Sequence, residues 1–411
     1  MGYKKNAIRG ISWIGFLSIT TKAIGFLEAV ILARILAPSQ FGAYGIALLA
    51  LGLLEVLTES GVNIVLVQEK NVDRYISSAW IVSILRGILI TTVLIIIAPL
   101  ISDFFSSVEA LALLYLISLV PLIRGFINPA VIKFQKELNF GRDFKYKLIS
   151  LLVDTAVSIG VTSIIRNPTG IVLGLLAGVL TELLLSFILA SPRPKFIFEK
   201  VYINTIFKRG KWITATSIFD YLFYNTDNIV VGRILGATSL GIYQLGYSLA
   251  VVPLSEVGKV FVHVTVPILI KISDNKKRLK SAYFKTILSI TVITLPFTLI
   301  FAVFPYLAVW ILGEKWISLV AVLPVLGALG FVKAVSLSST SLFLSVKKQE
   351  YTTVITFVNI LGLMISIVPL ISSFGILGAS YSALFGALCA APFIIYFTYK
   401  TLSGVPKAKY D

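Results

Sequence analysis

The sequence predicts an all-α polytopic membrane protein with about 12 transmembrane helices arranged as two six-helix lobes, a parallel repeat. Three observations predict it. Of the 411 residues, 57% are hydrophobic and only 13% charged, with a mean hydropathy of +0.94, against roughly 45–50% apolar residues, glycine included, in soluble domains. Charge, proline and glycine then punctuate the chain into segments of the length that spans a bilayer, about 20 mainly apolar residues. Finally, Arg34 to Tyr44 read RILAPSQFGAY and Arg233 to Tyr243 read RILGATSLGIY, the same phrase written twice in one register, which marks an internal repeat.

In chain order, a first span over 11–35 and a second over 42–67 are separated only by the tight link Ala37 to Gln40. The run is longer than a signal-peptide core and lacks a small-residue cleavage site, so it is expected to be retained. A basic stretch at 68–76 precedes the third span, 77–100, and the fourth covers 110–132. The basic segment 133–147 leads into 148–166, which Asn167 to Gly170 connects to 171–190. Residues 191–211, SPRPKFIFEKVYINTIFKRGK, form a polar, proline-containing, basic linker. The second half repeats the plan with spans over 212–235, 241–270, 286–311, 317–345, 351–372 and 376–399. The expected domains are therefore an N-terminal lobe, 1–190, the cytoplasmic linker 191–211, and a C-terminal lobe, 212–411. None of these segments alternates as the strands of a barrel do.

The repeat offset carries the first span onto the seventh and the second onto the eighth. An even number of crossings separates the copies, so both run in the same direction. The flanks keep register: Trp13 aligns with Trp212, Ser18 with Ser217, and Glu28 with Asp227. The repeated phrase reads as architecture, with Arg34 and Arg233 at the negative ends of their helices and within reach of headgroups. Pro38 or Ala237, then Gly42 or Gly241, would let the chain reverse. Direct contact with a substrate is the other reading of the phrase.

The net charge of +17 is distributed as topology demands. Of the 36 Lys and Arg, 27 lie at the termini and in alternate loops, and only Arg166 and Lys315 lie in the opposite loops. By the positive-inside rule both termini are cytoplasmic. Lys276, Lys277, Arg278 and Lys280 then face anionic lipid, and nucleic acid is not expected as a partner. One cysteine, Cys389, excludes an internal disulfide, and one histidine, His263, without neighbouring ligands argues against a metal site. No phosphate loop or nucleophile elbow occurs. No cofactor and no catalytic residues are expected, and the short outer loops leave no room for a catalytic domain.

ISW near the start, ILARILAPSQFGAYGIALL, ESGVNIVLVQEK and APLISDFF resemble the polysaccharide-exporter, Wzx-like O-antigen flippases of the multidrug/oligosaccharidyl-lipid/polysaccharide (MOP) exporter superfamily. The resemblance implies two bundles forming a V in the cytoplasmic membrane. It also implies a non-enzymatic flippase of polysaccharide or lipopolysaccharide biosynthesis that carries polyprenyl-pyrophosphate-linked oligosaccharide by alternating access, driven by Na⁺ or protons. A monomer among membrane lipids is expected. A multidrug exporter of the same superfamily, a polytopic enzyme of polysaccharide assembly and a membrane scaffold are the alternatives.

Ionisable side chains inside the spans carry the site expectations, because an intramembrane charge costs at least about 2.5–3.5 kcal/mol at a helix centre. Lys22, Arg86 and Arg124, with Lys259 and Lys333 in the second lobe, are candidates for binding an anionic pyrophosphate. Arg suits phosphate oxygens through its planar fork. Arg86 and Arg124 have two competing readings, snorkelling to headgroups and pairing with Asp154 and Glu182. Glu256 and Lys259, three apart, are candidates for a simple pair. Ser217, Asp220, Tyr224, Asp227 and Asn228 form a polar stripe at helical spacing, and Asp220, Asp227 and Asn359 are the candidates for ion coupling. A stripe that only packs helices is the alternative.

Overall fold

A computed structural model describes residues 20–59 and 61–403, and the described residues contain helices and connecting turns but no strand. Trp13, Ser18 and both termini lie outside the described residues, as does the Trp212 side chain. Among the described residues, ten helical segments are long and apolar enough to cross a membrane.

Helices α1 (20–35) and α2 (Pro38–Leu57) are separated at Ala37, which is extended at φ −83° and ψ 157°. Pro38 starts α2, where its missing N–H costs nothing, and the Gln40 side chain accepts from the Ala37 N–H at 2.9 Å. After α2 comes a short helix, α3 (Val62–Gln68). The expected span 42–67 is therefore broken near its C-terminal end, at Gly61, whose φ of 65° suits a residue without a side chain.

Helix α4 (Asp73–Phe104) is followed by α5 (Val108–Ile117) and α6 (Leu119–Gly125). These last two replace the single expected helix over 110–132. Ser118 divides them, and its carbonyl oxygen accepts from the Thr91 hydroxyl of α4 at 2.7 Å. The early stop at Gly125 follows from Pro129, which disfavours helix at the preceding residue, and Asn128 is extended at φ −65° and ψ 113°. A 3₁₀ turn (Pro129–Ile132) and α7 (Lys133–Lys136) then lead to the antiparallel pair α8 (Phe140–Ile165) and α9 (Thr169–Leu189). Residues 191–199 are non-helical and lie on the bundle, with the Lys195 N–H donating to Ser77 Oγ at 3.1 Å and Phe196 against Trp80 at 4.6 Å.

Helix α10 (Lys200–Lys271) takes in the expected spans 212–235 and 241–270, interrupted at Gly236, φ 80° and ψ 178°. Gly236 is the counterpart of Ala37 in the repeat register, so both copies of the phrase break at the same position. A straight helix would hold residues 227 and 243 about 24 Å apart, yet the Tyr243 hydroxyl donates to Asp227 at 2.8 Å. The chain must therefore double back at Gly236. Gly42, expected in the reversal, is instead helical, and its missing Cβ admits the Ala237 carbonyl.

The remaining elements are α11 (Lys276–Val303), α12 (Tyr306–Leu312), α13 (Leu319–Ser345), α14 (Gln349–Phe374) and α15 (Ile376–Ser403). The chain divides into two compact units. One comprises Met1–Asn225 with Gly236–Thr238, and the other Thr226–Leu235 with Ser239–Asp411. In the second unit Leu269, Leu279, Tyr283, Leu342, Phe343 and Leu402 share one buried cluster.

Candidate functional site

Two Arg-Gly dipeptides build the cavity in the first unit. Gly87 of α4 and Gly125 of α6 lie at the crossing of those helices. A Cβ on Gly87 would overlap the Pro121 carbonyl, and one on Gly125 would stand 2.8 Å from the Ser83 carbonyl oxygen. Without side chains at these positions the backbones meet, and Arg86 and Arg124, each one residue earlier, line the same cavity. The indole N–H of Trp80 on α4 donates to the Phe126 carbonyl at 2.8 Å and holds the end of α6 in place.

The cavity has a volume of about 260 Å³ and is lined by Glu55, Asn63, Ser83, Arg86 and Arg124 together with apolar residues of α3, α4 and α6. Arg86 donates to the Glu55 carbonyl oxygen at 2.6 Å, to Thr58 Oγ1 at 3.2 Å and to Glu59 Oε2 at 3.2 Å. It thereby caps the C-terminal carbonyls of α2, where a cation is favoured by the helix dipole. Arg124 Nη1 donates to Glu55 Oε1 at 2.6 Å. Both guanidiniums are about a third exposed, so they are neither sealed in the core nor free in water.

The partners differ from expectation. Arg86 and Arg124 make their ion pairs with Glu59 and Glu55, rather than with Asp154 and Glu182. Arg124, expected about nine residues inside its helix end, stands in the last turn of α6 because the helix stops before Pro129. Asp154 accepts from Ser158 Oγ at 3.2 Å, and Glu28 accepts from Thr155 Oγ1 at 2.8 Å. Lys22 is exposed on α1. Glu55 and Glu59 carried no site expectation in the sequence. Glu55 stands in the last turn of α2 and Glu59 just beyond its end, and the paired Arg-Gly dipeptides are the sequence signal that points to the cavity.

In the second unit the other candidates fall in three places. Asp227 is 7% exposed and Tyr243 fully buried. The Asp227 carboxylate accepts from the Tyr243 hydroxyl at 2.8 Å, and from the Asn228 backbone N–H at 2.8 Å and side-chain amide at 3.2 Å. Lys333 donates to the Tyr247 hydroxyl at 2.6 Å and lies 5.1 Å from that ring's centroid. Tyr247 packs on Tyr243, 6.2 Å between centroids. Lys333 and Asp227 are thus bonded to two tyrosines that pack on each other, although the sequence had suggested separate roles. Lys259 pairs with Glu256 at 2.9 Å. Asn359 packs α14 against Gly386 of α15. Asp220, in the α10 portion that belongs to the first unit, is exposed. Among the described residues no group of three or more His, Cys, Asp or Glu is arranged to hold a metal ion.

The sequence matches the family model described as polysaccharide biosynthesis protein over residues 31–321. It is 26% identical over 345 residues to the lipopolysaccharide biosynthesis protein WzxC of Escherichia coli (strain K12), covering 82% of this chain and 69% of that protein. The fold is similar to that of the lipid II flippase MurJ in an inward closed conformation, with a TM-score of 0.73 at 13% identity over 96% of this chain and 90% of that one. It is also similar to an inward-facing multidrug resistance MATE family transporter of the MOP superfamily, with a TM-score of 0.69 at 15% identity over 97% and 99% of the two chains. The chain thus shares the fold of these two transporters. Together with the match across most of its length, this makes the chain a member of the polysaccharide biosynthesis protein family.

Proposed function

We propose that the protein is a flippase that moves a polyprenyl-pyrophosphate-linked oligosaccharide across the cytoplasmic membrane by alternating access, without enzymatic chemistry. The observation that carries the reading is the meeting of Arg86 and Arg124 in one cavity within the membrane-spanning part of the first unit. A pyrophosphate crossing the bilayer unpaired is prohibitively costly. Two guanidiniums on adjoining helices offer bidentate, charge-assisted hydrogen bonds to its oxygens. Family membership and the likeness to WzxC support the choice of a polysaccharide precursor as cargo.

In this reading both termini are cytoplasmic, the protein acts as a monomer, and Lys22, Lys259 and Lys333 are secondary anion contacts. Asp227 couples transport to Na⁺ or protons, because an ion bound with different affinity in two states biases their equilibrium. The test is reconstitution in liposomes with a pyrophosphate-linked polyprenyl oligosaccharide. Arg86→Ala and Arg124→Ala should each weaken lipid binding about 10- to 100-fold, the range for lost hydrogen bonds to charged groups, and slow flipping in parallel. Wild-type binding and flipping in both variants would refute the assignment.

A further inference from the structure

We propose that Glu55 and Glu59 are built-in counter-anions that the cargo must displace, and that this exchange selects ligands bearing two linked phosphoryl groups over those bearing one. The proposal rests on the reading of Arg86 and Arg124 given above. Each guanidinium already holds one carboxylate, Arg124 that of Glu55 and Arg86 that of Glu59. The four charges cancel. A ligand that left the carboxylates in place would bring its own charge into a neutral cavity next to two acids, whereas one that displaced both would leave the guanidiniums matched. A pyrophosphate diester has one acidic oxygen on each phosphorus and so offers one anion to each arginine. A phosphodiester has a single acidic oxygen and can replace only one carboxylate, and a neutral headgroup replaces neither.

The surrounding bonds suit exchange. The Arg86–Glu59 pair is 27% and 32% exposed, and such partly exposed pairs contribute only about 1 kcal/mol or less. Arg86 stays in position without Glu59, because the Glu55 carbonyl oxygen and Thr58 Oγ1 hold it independently. The departing carboxylate is not stranded either, since Glu59 Oε1 accepts from the Gly61 N–H at 2.9 Å. Glu59 lies just beyond the end of α2, and its carbonyl accepts from the Thr214 hydroxyl of α10. Displacement of its side chain therefore acts on a residue whose backbone is tied to another helix of the same unit.

The test measures binding of a polyprenyl pyrophosphate sugar and a polyprenyl monophosphate sugar, both diesters with one charge per phosphorus, to the full chain in detergent, with inorganic pyrophosphate as competitor. Wild-type protein should prefer the pyrophosphate lipid by at least about tenfold. Glu55→Gln and Glu59→Gln should each tighten monophosphate binding about fivefold, the equivalent of removing one such competing ion pair, and so narrow the preference. Glu59→Asp, which keeps the charge, should retain it. Competition by inorganic pyrophosphate indicates that the cavity reads the anion itself, whereas failure to compete assigns the preference to the lipid and overturns the exchange. A merely structural salt bridge predicts the opposite sign, weaker binding of both lipids in the Gln variants. That result, or equal wild-type affinity for the two lipids, would overturn the proposal even if neither Gln variant could be purified. Weakened binding in Arg86→Ala with unchanged selectivity in the Gln variants would overturn the counter-anions alone. Unchanged binding in Arg86→Ala would instead remove the site beneath them.

Discussion

Adding one methyl group at Gly125 tests how the cavity is assembled. Its Cβ would stand 2.8 Å from the Ser83 carbonyl oxygen and 3.1 Å from the Ile84 Cα, where ordinary contact begins at 3.4 Å. The obstructing atoms are backbone and cannot rotate aside, so α4 and α6 must part by about 0.6 Å, the difference between 3.4 and 2.8 Å. Overpacking of this kind costs about 1–3 kcal/mol, and the better helix propensity of Ala over Gly returns at most about 1 kcal/mol. Gly125→Ala should therefore lose about 1–2 kcal/mol of stability and shift Arg124 relative to Arg86, weakening binding of a pyrophosphate lipid. Gly160→Ala on α8 is the control, since a Cβ there meets nothing within 4 Å. Thermal unfolding in detergent reads the first effect and lipid titration the second. If Gly125→Ala matches Gly160→Ala in both, close approach at the Arg-Gly dipeptides does not build the site.

Tyr243→Phe removes a donor from the buried Asp227 carboxylate and should cost about 1–3 kcal/mol, read as a lowered unfolding temperature, with no change expected if Asp227 does not depend on that bond. Asp227→Asn should insert into the membrane normally but transport more slowly. Unchanged dependence of its transport on Na⁺ and pH would remove Asp227 from the coupling. Cysteines at Ser39 and Lys277 should label from opposite sides of the membrane with an impermeant reagent, as the distribution of basic residues requires. Labelling of both from one side would contradict the topology.

Much of the fold is legible in the sequence because hydropathy and repeat register are local properties. The offset that aligns Arg34 with Arg233 also aligns the breaks at Ala37 and Gly236, and it aligns Glu28 and Tyr44 with Asp227 and Tyr243, which bond in the second copy. The division of 110–132 at Ser118 is marked in the sequence by Pro121, three residues on, which has no N–H to continue the helix, but the bond that satisfies the freed Ser118 carbonyl from a different helix is not legible there. The stop before Pro129 carried a signal that a hydropathy window passes over. For the site, Arg86 and Arg124 stand out as costly charges in apolar helices, but their partners do not. Glu55 and Glu59 precede them by 27 to 69 residues and meet them only through the packing of α2, α4 and α6. Lys333 likewise reads as an isolated cation until Tyr247 and Tyr243 connect it towards Asp227.

The most direct test of the central claim is to delete the gene in its own host and measure where lipid-linked oligosaccharide resides. The account predicts that this intermediate accumulates in the inner leaflet, and that the wild-type gene, but not an Arg86→Ala, Arg124→Ala double variant inserted at equal levels, restores its appearance on the outer side. Unimpaired delivery to the outer leaflet in the deletion strain, with no rise in the inner-leaflet pool, would contradict it.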